Sequence, residues 1–187
     1  MAYTLSSQRN MKIHAFAALF VSIFAMLTPL GLVSRITILL FIALVFAAEL
    51  LNTALEAVVN LATTKYHKLA KIAKDTAAGA VLAFAVGAVF AFSNIIIANW
   101  SHILSYGQEL ALQAPYALLL LGLYCWALCF KSSRLPSFIR RAAFAILLIL
   151  FLDNVNDWLF FALIAVLIVL VEYSQKNLFA KKVANTF

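Results

Sequence analysis

The stretch ITILLFIALVFAAELLNTALEAVV, running from Ile36 to Val59, decides the fold. It is apolar for long enough to cross a hydrocarbon layer ~30 Å thick, which takes about 20 residues of α-helix. Yet it carries two glutamates and an asparagine. Glu49, Asn52, Glu56 and the following Asn60 are spaced three, four and four residues apart. At about 100° per residue, that spacing puts all four on one helix face. Glu49 lies about 10 Å along the axis from Glu56, at 1.5 Å per residue. Charged groups inside a span cost about 2.5–3.5 kcal/mol each on insertion scales, so such a stripe is a functional candidate by default.

Outward from this stretch, the chain reads as further apolar runs near 15–33, 76–98, 114–130, 138–152 and 158–173. The run at 138–152 is the weakest, and Pro29 and Gly31 mark a turn into the decisive stretch. Residues 105–113 read as a short interfacial helix. Composition agrees: the 187 residues are 66% apolar and 11% charged, with a mean hydropathy of +1.03. A soluble domain runs near 45–50% apolar and about 25% charged. The expectation is an all-α, polytopic integral membrane helix bundle of about six transmembrane helices, located in the cell membrane as a multi-pass protein.

Of the fourteen Lys and Arg residues, only Arg35 falls in the second, alternating set of connections. The others precede the first run, follow the last, or lie between runs two and three and between four and five. Basic loops stay cytoplasmic, which places both termini there. The net charge of +7 is therefore topological and not a sign of a nucleic-acid partner. Cys125 and Cys129 read as small buried thiols on one helix face.

Two carboxylates and two amides on one stripe need partners. The run that follows the basic segment opens Lys71-Ile-Ala-Lys74-Asp75, bringing a cation and a third carboxylate to the same membrane level. Hard oxygen ligands beside a lysine suit a magnesium-nucleotide phosphate. A polar stripe that glues helices together, or a proton or cation pathway, is the alternative reading of the same residues.

The stretch Glu49-Leu-Leu-Asn-Thr-Ala-Leu-Glu56-Ala-Val-Val-Asn60, with Lys65-Tyr66-His67 and Ala-Lys74-Asp75-Thr-Ala-Ala78-Gly-Ala, closely resembles the prokaryotic diacylglycerol kinase and undecaprenol kinase family. The segment Arg9-Asn-Met-Lys-Ile-His14 is similar to the undecaprenol kinase branch. The resemblance covers residues 6 to about 98. It implies a homotrimeric membrane lipid kinase passing the γ-phosphate of MgATP to a lipid hydroxyl, with undecaprenol favoured over diacylglycerol. Carried over residue by residue, Glu49 is the general base and Glu56 a Mg2+ ligand. Lys65, Tyr66, His67, Lys74 and Asp75 bind ATP, and Ala78 lines the lipid site. Asn52 and Asn60 complete the polar face.

Two positions depart from the family pattern. Gln8 stands where the family has a second magnesium-binding glutamate, and Asn60 where it usually has aspartate. Only seven residues precede Gln8, fewer than the amphipathic surface helix found there in the family. An amide is a weaker ligand for a hard cation than a carboxylate. These departures define the alternative: a catalytically reduced member serving as a membrane subunit or scaffold. The domain expectation is a kinase-like core over residues 1–100 and a three-span extension over 101–187. Through spans four to six, that extension would meet partner membrane proteins.

Overall fold

The computed structural model describes residues 8–129, 162–171 and 173. These residues fall into two units, one comprising 31–99 and the other the residues up to 30 together with those from 100 onward. Four helices among the described residues are long and apolar enough to cross a membrane. The expected span at 138–152 lies outside the described residues, and that at 158–173 is described only as the apolar helix Ala162–Val171.

In the second unit, α1 spans Arg9–Leu27. It starts earlier and stops earlier than the expected 15–33, because Pro29 acts one turn sooner than the apolar run suggests. Proline has no N–H and drives its predecessor out of the helical region, and Thr28 is extended at φ −110°, ψ 145°. Thr28 closes the helix by giving both its N–H and its hydroxyl to the Phe24 carbonyl, at 3.1 and 2.7 Å. Ser22 likewise donates to the Ala18 carbonyl at 2.6 Å. Back-bonding of this kind satisfies a hydroxyl that lipid cannot. Met11, Ala15, Ala18, Ser22 and Ala25 are buried at intervals of four, three, four and three, a small-residue stripe that allows close helix approach.

The other helices of that unit are numbered here in chain order. Trp100–Ser105 is α4, Gly107–Cys129 is α5 with Pro115 inside it, and Ala162–Val171 is α6. Helix α1 packs against α5, on which Ala117, Leu120 and Tyr124 are buried. Residues 105–113 are not a separate interfacial helix: from Gly107 they form the first turns of α5, seven residues ahead of the expected start at 114. A proline at 115 does not end the run, since its missing N–H costs one intrahelical bond while the flanking residues stay helix-compatible. Cys125 is exposed and not buried as expected, because the buried face of α5 passes through Tyr124 one residue earlier.

The unit of residues 31–99 is a helical hairpin. Helix α2 spans Leu32–Ala62 and α3 spans Lys68–Ala98, 31 residues each. Each is about 46 Å long at 1.5 Å per residue, more than the ~30 Å of hydrocarbon, so the ends reach headgroup depth or the helices tilt. The link between them is held by Thr63, whose hydroxyl accepts from the Lys65 N–H at 3.2 Å and reaches the Lys65 carbonyl at 3.1 Å. His67 then caps α3, its Nδ1 accepting the Leu69 N–H at 3.3 Å. Burial in this hairpin is inverted relative to a soluble protein: Glu49 and Asn52 are buried, while Leu40, Leu51, Leu82, Val89 and Phe90 are exposed. Apolar exposure is stable where lipid is the solvent.

A glycine on α3 makes room for a ring of α2. A Cβ placed on Gly87 would come within 3.2 Å of the Phe41 ring, whereas one on Gly79 would meet nothing within 4 Å. Gly87→Leu is therefore expected to destabilise the protein by about 1–3 kcal/mol, the usual cost of overpacking. Gly79→Leu should be near neutral in a single chain. Thermal unfolding of both variants as monomers, in a detergent that separates any oligomer, checks this.

Candidate functional site

The polar stripe on α2 forms a gradient of burial. Glu49 is 2% exposed and Asn52 8%, Glu56 is half-buried and Asn60 exposed. Glu49 lies about 20 Å from the end of α2 at 1.5 Å per residue, well inside the helix. Its carbonyl accepts the Thr53 hydroxyl at 3.0 Å.

Asn52 bonds the outer of the two acids. Its Nδ2 donates to Glu56 Oε1 at 3.4 Å, which turns its own amide oxygen away. That oxygen is buried and has no hydrogen-bond partner among the described residues. An unmet buried acceptor costs about 1–3 kcal/mol, so the site holds an oxygen poised for a donor or a cation. Among the described residues no group of three or more His, Cys, Asp and Glu side chains converges on one point. A zinc-like closed site is thus not what these residues build. One carboxylate with an unmet amide oxygen one helical turn away fits magnesium instead, which keeps several waters and takes only one or two protein carboxylates together with substrate phosphates.

The opposite helix delivers the cation. Lys74, in the second turn of α3, donates from Nζ to Asn60 Oδ1 at 2.8 Å across the hairpin. The structure thereby brings Glu49, Asn52, Glu56, Asn60 and Lys74 onto one line. Asp75 is exposed on α3 and Ala78 is exposed one turn on. Lys65 and Tyr66 are exposed on the link. Gln8 is half-buried and extended just ahead of α1, in the other unit.

Two contacts escaped the sequence reading. The capping role of His67 had a local signal, a side-chain acceptor directly before a helix and two residues ahead of the N–H it binds. The Asn60–Lys74 bond had none, because it joins two helices.

A family model described as prokaryotic diacylglycerol kinase matches residues 1–96. The chain is 49% identical over 83 residues to an undecaprenol kinase of Bacillus subtilis, covering 44% of this chain and 68% of that protein. It is 48% identical over 90 residues to a diacylglycerol kinase of Synechocystis, covering 48% of this chain and 51% of the relative. It is 36% identical over 70 residues to a diacylglycerol kinase of Escherichia coli K12, covering 37% of this chain and 55% of the relative. The chain thus spans about two thirds of the first relative and about half of the other two. No solved structure matches.

Proposed function

The chain belongs to the prokaryotic diacylglycerol kinase family, multi-pass membrane lipid kinases with ATP as co-substrate, and from this premise we propose that its own lipid is undecaprenol and that the α2–α3 stripe is the reacting site. The observation that carries the site is the buried Glu49 in line with Asn52, Glu56 and the Lys74 tethered to Asn60. The lipid is supported by the 49% identity to an undecaprenol kinase over 68% of its length, and by the segment Arg9–His14. Diacylglycerol stands second.

In this reading Glu49 takes the proton of the lipid hydroxyl as that hydroxyl's oxygen forms a bond to the γ-phosphorus. The bond to the bridging oxygen breaks and ADP leaves. Transfer of this kind needs positioning and charge stabilisation more than covalent chemistry. Lys74 and Asp75 contact the nucleotide, with Lys65, Tyr66 and His67 on the link beside it. His67 retains its Nε2 for that purpose, since Nδ1 is used by the cap. Magnesium, where bound, neutralises phosphate charge, and Glu56 and Asn52 are the residues to hold it, with Gln8 assigned there on the resemblance. Ala78 faces the lipid. The link and both termini are cytoplasmic, and residues 1–100 form the kinase core with 101–187 as an extension that meets membrane partners.

We further propose a homotrimer, as the resemblance implies, since Gly79 is open, with nothing within 4 Å of an added Cβ, which leaves room for close approach of a helix. Crosslinking in mild detergent should give a trimer that Gly79→Leu dissociates; monomer alone overturns it.

The activity test uses the full chain in mixed micelles with γ-labelled ATP and either lipid. Labelled undecaprenyl phosphate in excess over labelled phosphatidate is the expected result. A preference for diacylglycerol overturns the lipid assignment. No label in either, with membrane proteins copurifying in stoichiometric amounts, supports the scaffold role instead.

A further inference from the structure

The lysines that open α3 do not share one face. Lys74 is turned toward α2, where the Asn60 amide oxygen accepts its ammonium at 2.8 Å. Lys71 stands about 60° further round the axis, and Lys68 about 120°, at about 100° per residue. Both are exposed, and neither makes an ion pair or a side-chain hydrogen bond among the described residues. Below Lys71 the helix continues as an apolar track. Leu82 and Val89 lie on its line to within about 20°, and they are 64% and 66% exposed.

Lys68 and Lys71 are one turn apart, about 4.5 Å along the axis, so their long side chains can bracket a single phosphate. Asp75 is exposed one turn below Lys71 and offsets one of the two charges. The single positive charge that remains complements a phosphodiester, whereas a phosphomonoester carries about −1.5 to −2 at pH 7. A soluble anion would meet the lysines and leave the track beneath them bare. A phospholipid covers both, its headgroup at the lysines and its chain on the apolar residues. We propose that Lys68 and Lys71 form a docking site for an anionic phospholipid, its phosphodiester between the two ammonium groups and an acyl chain along Leu82 and Val89. Gly79 lies about 80° round the helix from Lys71, so a neighbouring helix seated there leaves this track open. The site stands apart from the question of which lipid is phosphorylated.

The test is native mass spectrometry of the full chain in detergent doped with phosphatidylglycerol or phosphatidylcholine, which resolves each bound lipid. Phosphatidylglycerol should bind about 10-fold more tightly than phosphatidylcholine or better, and 1 M salt should remove most of that preference. Lys68→Gln and Lys71→Gln should each weaken phosphatidylglycerol about 5-fold, the worth of one basic residue beside an anionic lipid surface. The double variant should weaken it about 25-fold, and phosphatidylcholine should be unaffected in all three. Lys71→Arg should bind as the wild type does, because it keeps the charge. Lys12→Gln, the same loss of charge on α1, should leave binding unchanged. Equal weakening in Lys12→Gln shows an effect of net charge and overturns the site. No preference for phosphatidylglycerol in the wild type overturns it as well. Displacement of phosphatidylglycerol by ATP or by undecaprenol assigns the two lysines to the reacting site and likewise overturns the proposal. Retention in the presence of both supports it, whether or not the protein phosphorylates either lipid.

Discussion

Glu49→Gln is expected to lower lipid phosphorylation by about 10²–10⁴-fold, the range lost with a positioned general base. Nucleotide affinity and the magnesium requirement should be unchanged, because Glu49 stands two turns deeper than Glu56 and is 2% exposed. The substitution keeps size and one oxygen while removing the charge. A buried intramembrane charge costs about 2.5–3.5 kcal/mol, so the variant should unfold at a temperature no lower than the wild type. Loss of turnover with retained stability and ATP binding separates a reacting acid from a structural one. Full activity in Glu49→Gln would show that the proton goes elsewhere.

Glu56→Gln should also remove nearly all turnover at ordinary magnesium concentrations, through a different step. Glu56 is half-buried and receives the Asn52 amide N–H, while the amide oxygen of Asn52 is buried and has no hydrogen-bond partner among the described residues. Removing the charge of a hard-cation ligand should raise the magnesium needed for half-maximal activity by at least about 100-fold, since even outer partners of a metal site are worth 10–100-fold. The same titration tests Gln8. If it faces the metal, Gln8→Glu lowers the magnesium requirement about 10-fold, the gain of a charged contact over a neutral one. An unmoved titration in an active Gln8→Glu protein takes Gln8 away from the metal. An unmoved titration in Glu56→Gln does the same for Glu56.

These two acids respond differently because of burial, and burial was only partly legible in the sequence. The stripe itself was readable: offsets between Glu49, Asn52, Glu56 and Asn60 are a property of one helix, fixed by 3.6 residues per turn. The start of α1 was not, since an apolar run does not show where polar residues such as Arg9 and Lys12 join the helix. Its end at Leu27 had a local cause in Pro29, which the length of the apolar run masked. Residues 107–113 joined α5 despite their polarity, because helix continuity through Pro115 depends on packing that periodicity does not report.

By itself, the sequence determined that this is a membrane protein with acids and amides aligned on one buried-range helix face. Both facts follow from local quantities, the length of apolar runs and the angle between successive side chains. The tertiary structure decided which member of the stripe is sealed and which is reachable, the antiparallel register fixed where Phe41 lies against Gly87, and the bond from Lys74 to Asn60. These depend on how α2 and α3 rotate about their axes. In lipid nearly every face of an apolar helix is acceptable to the solvent, so composition leaves that rotation open, and only a close glycine and a polar pair that must meet can fix it.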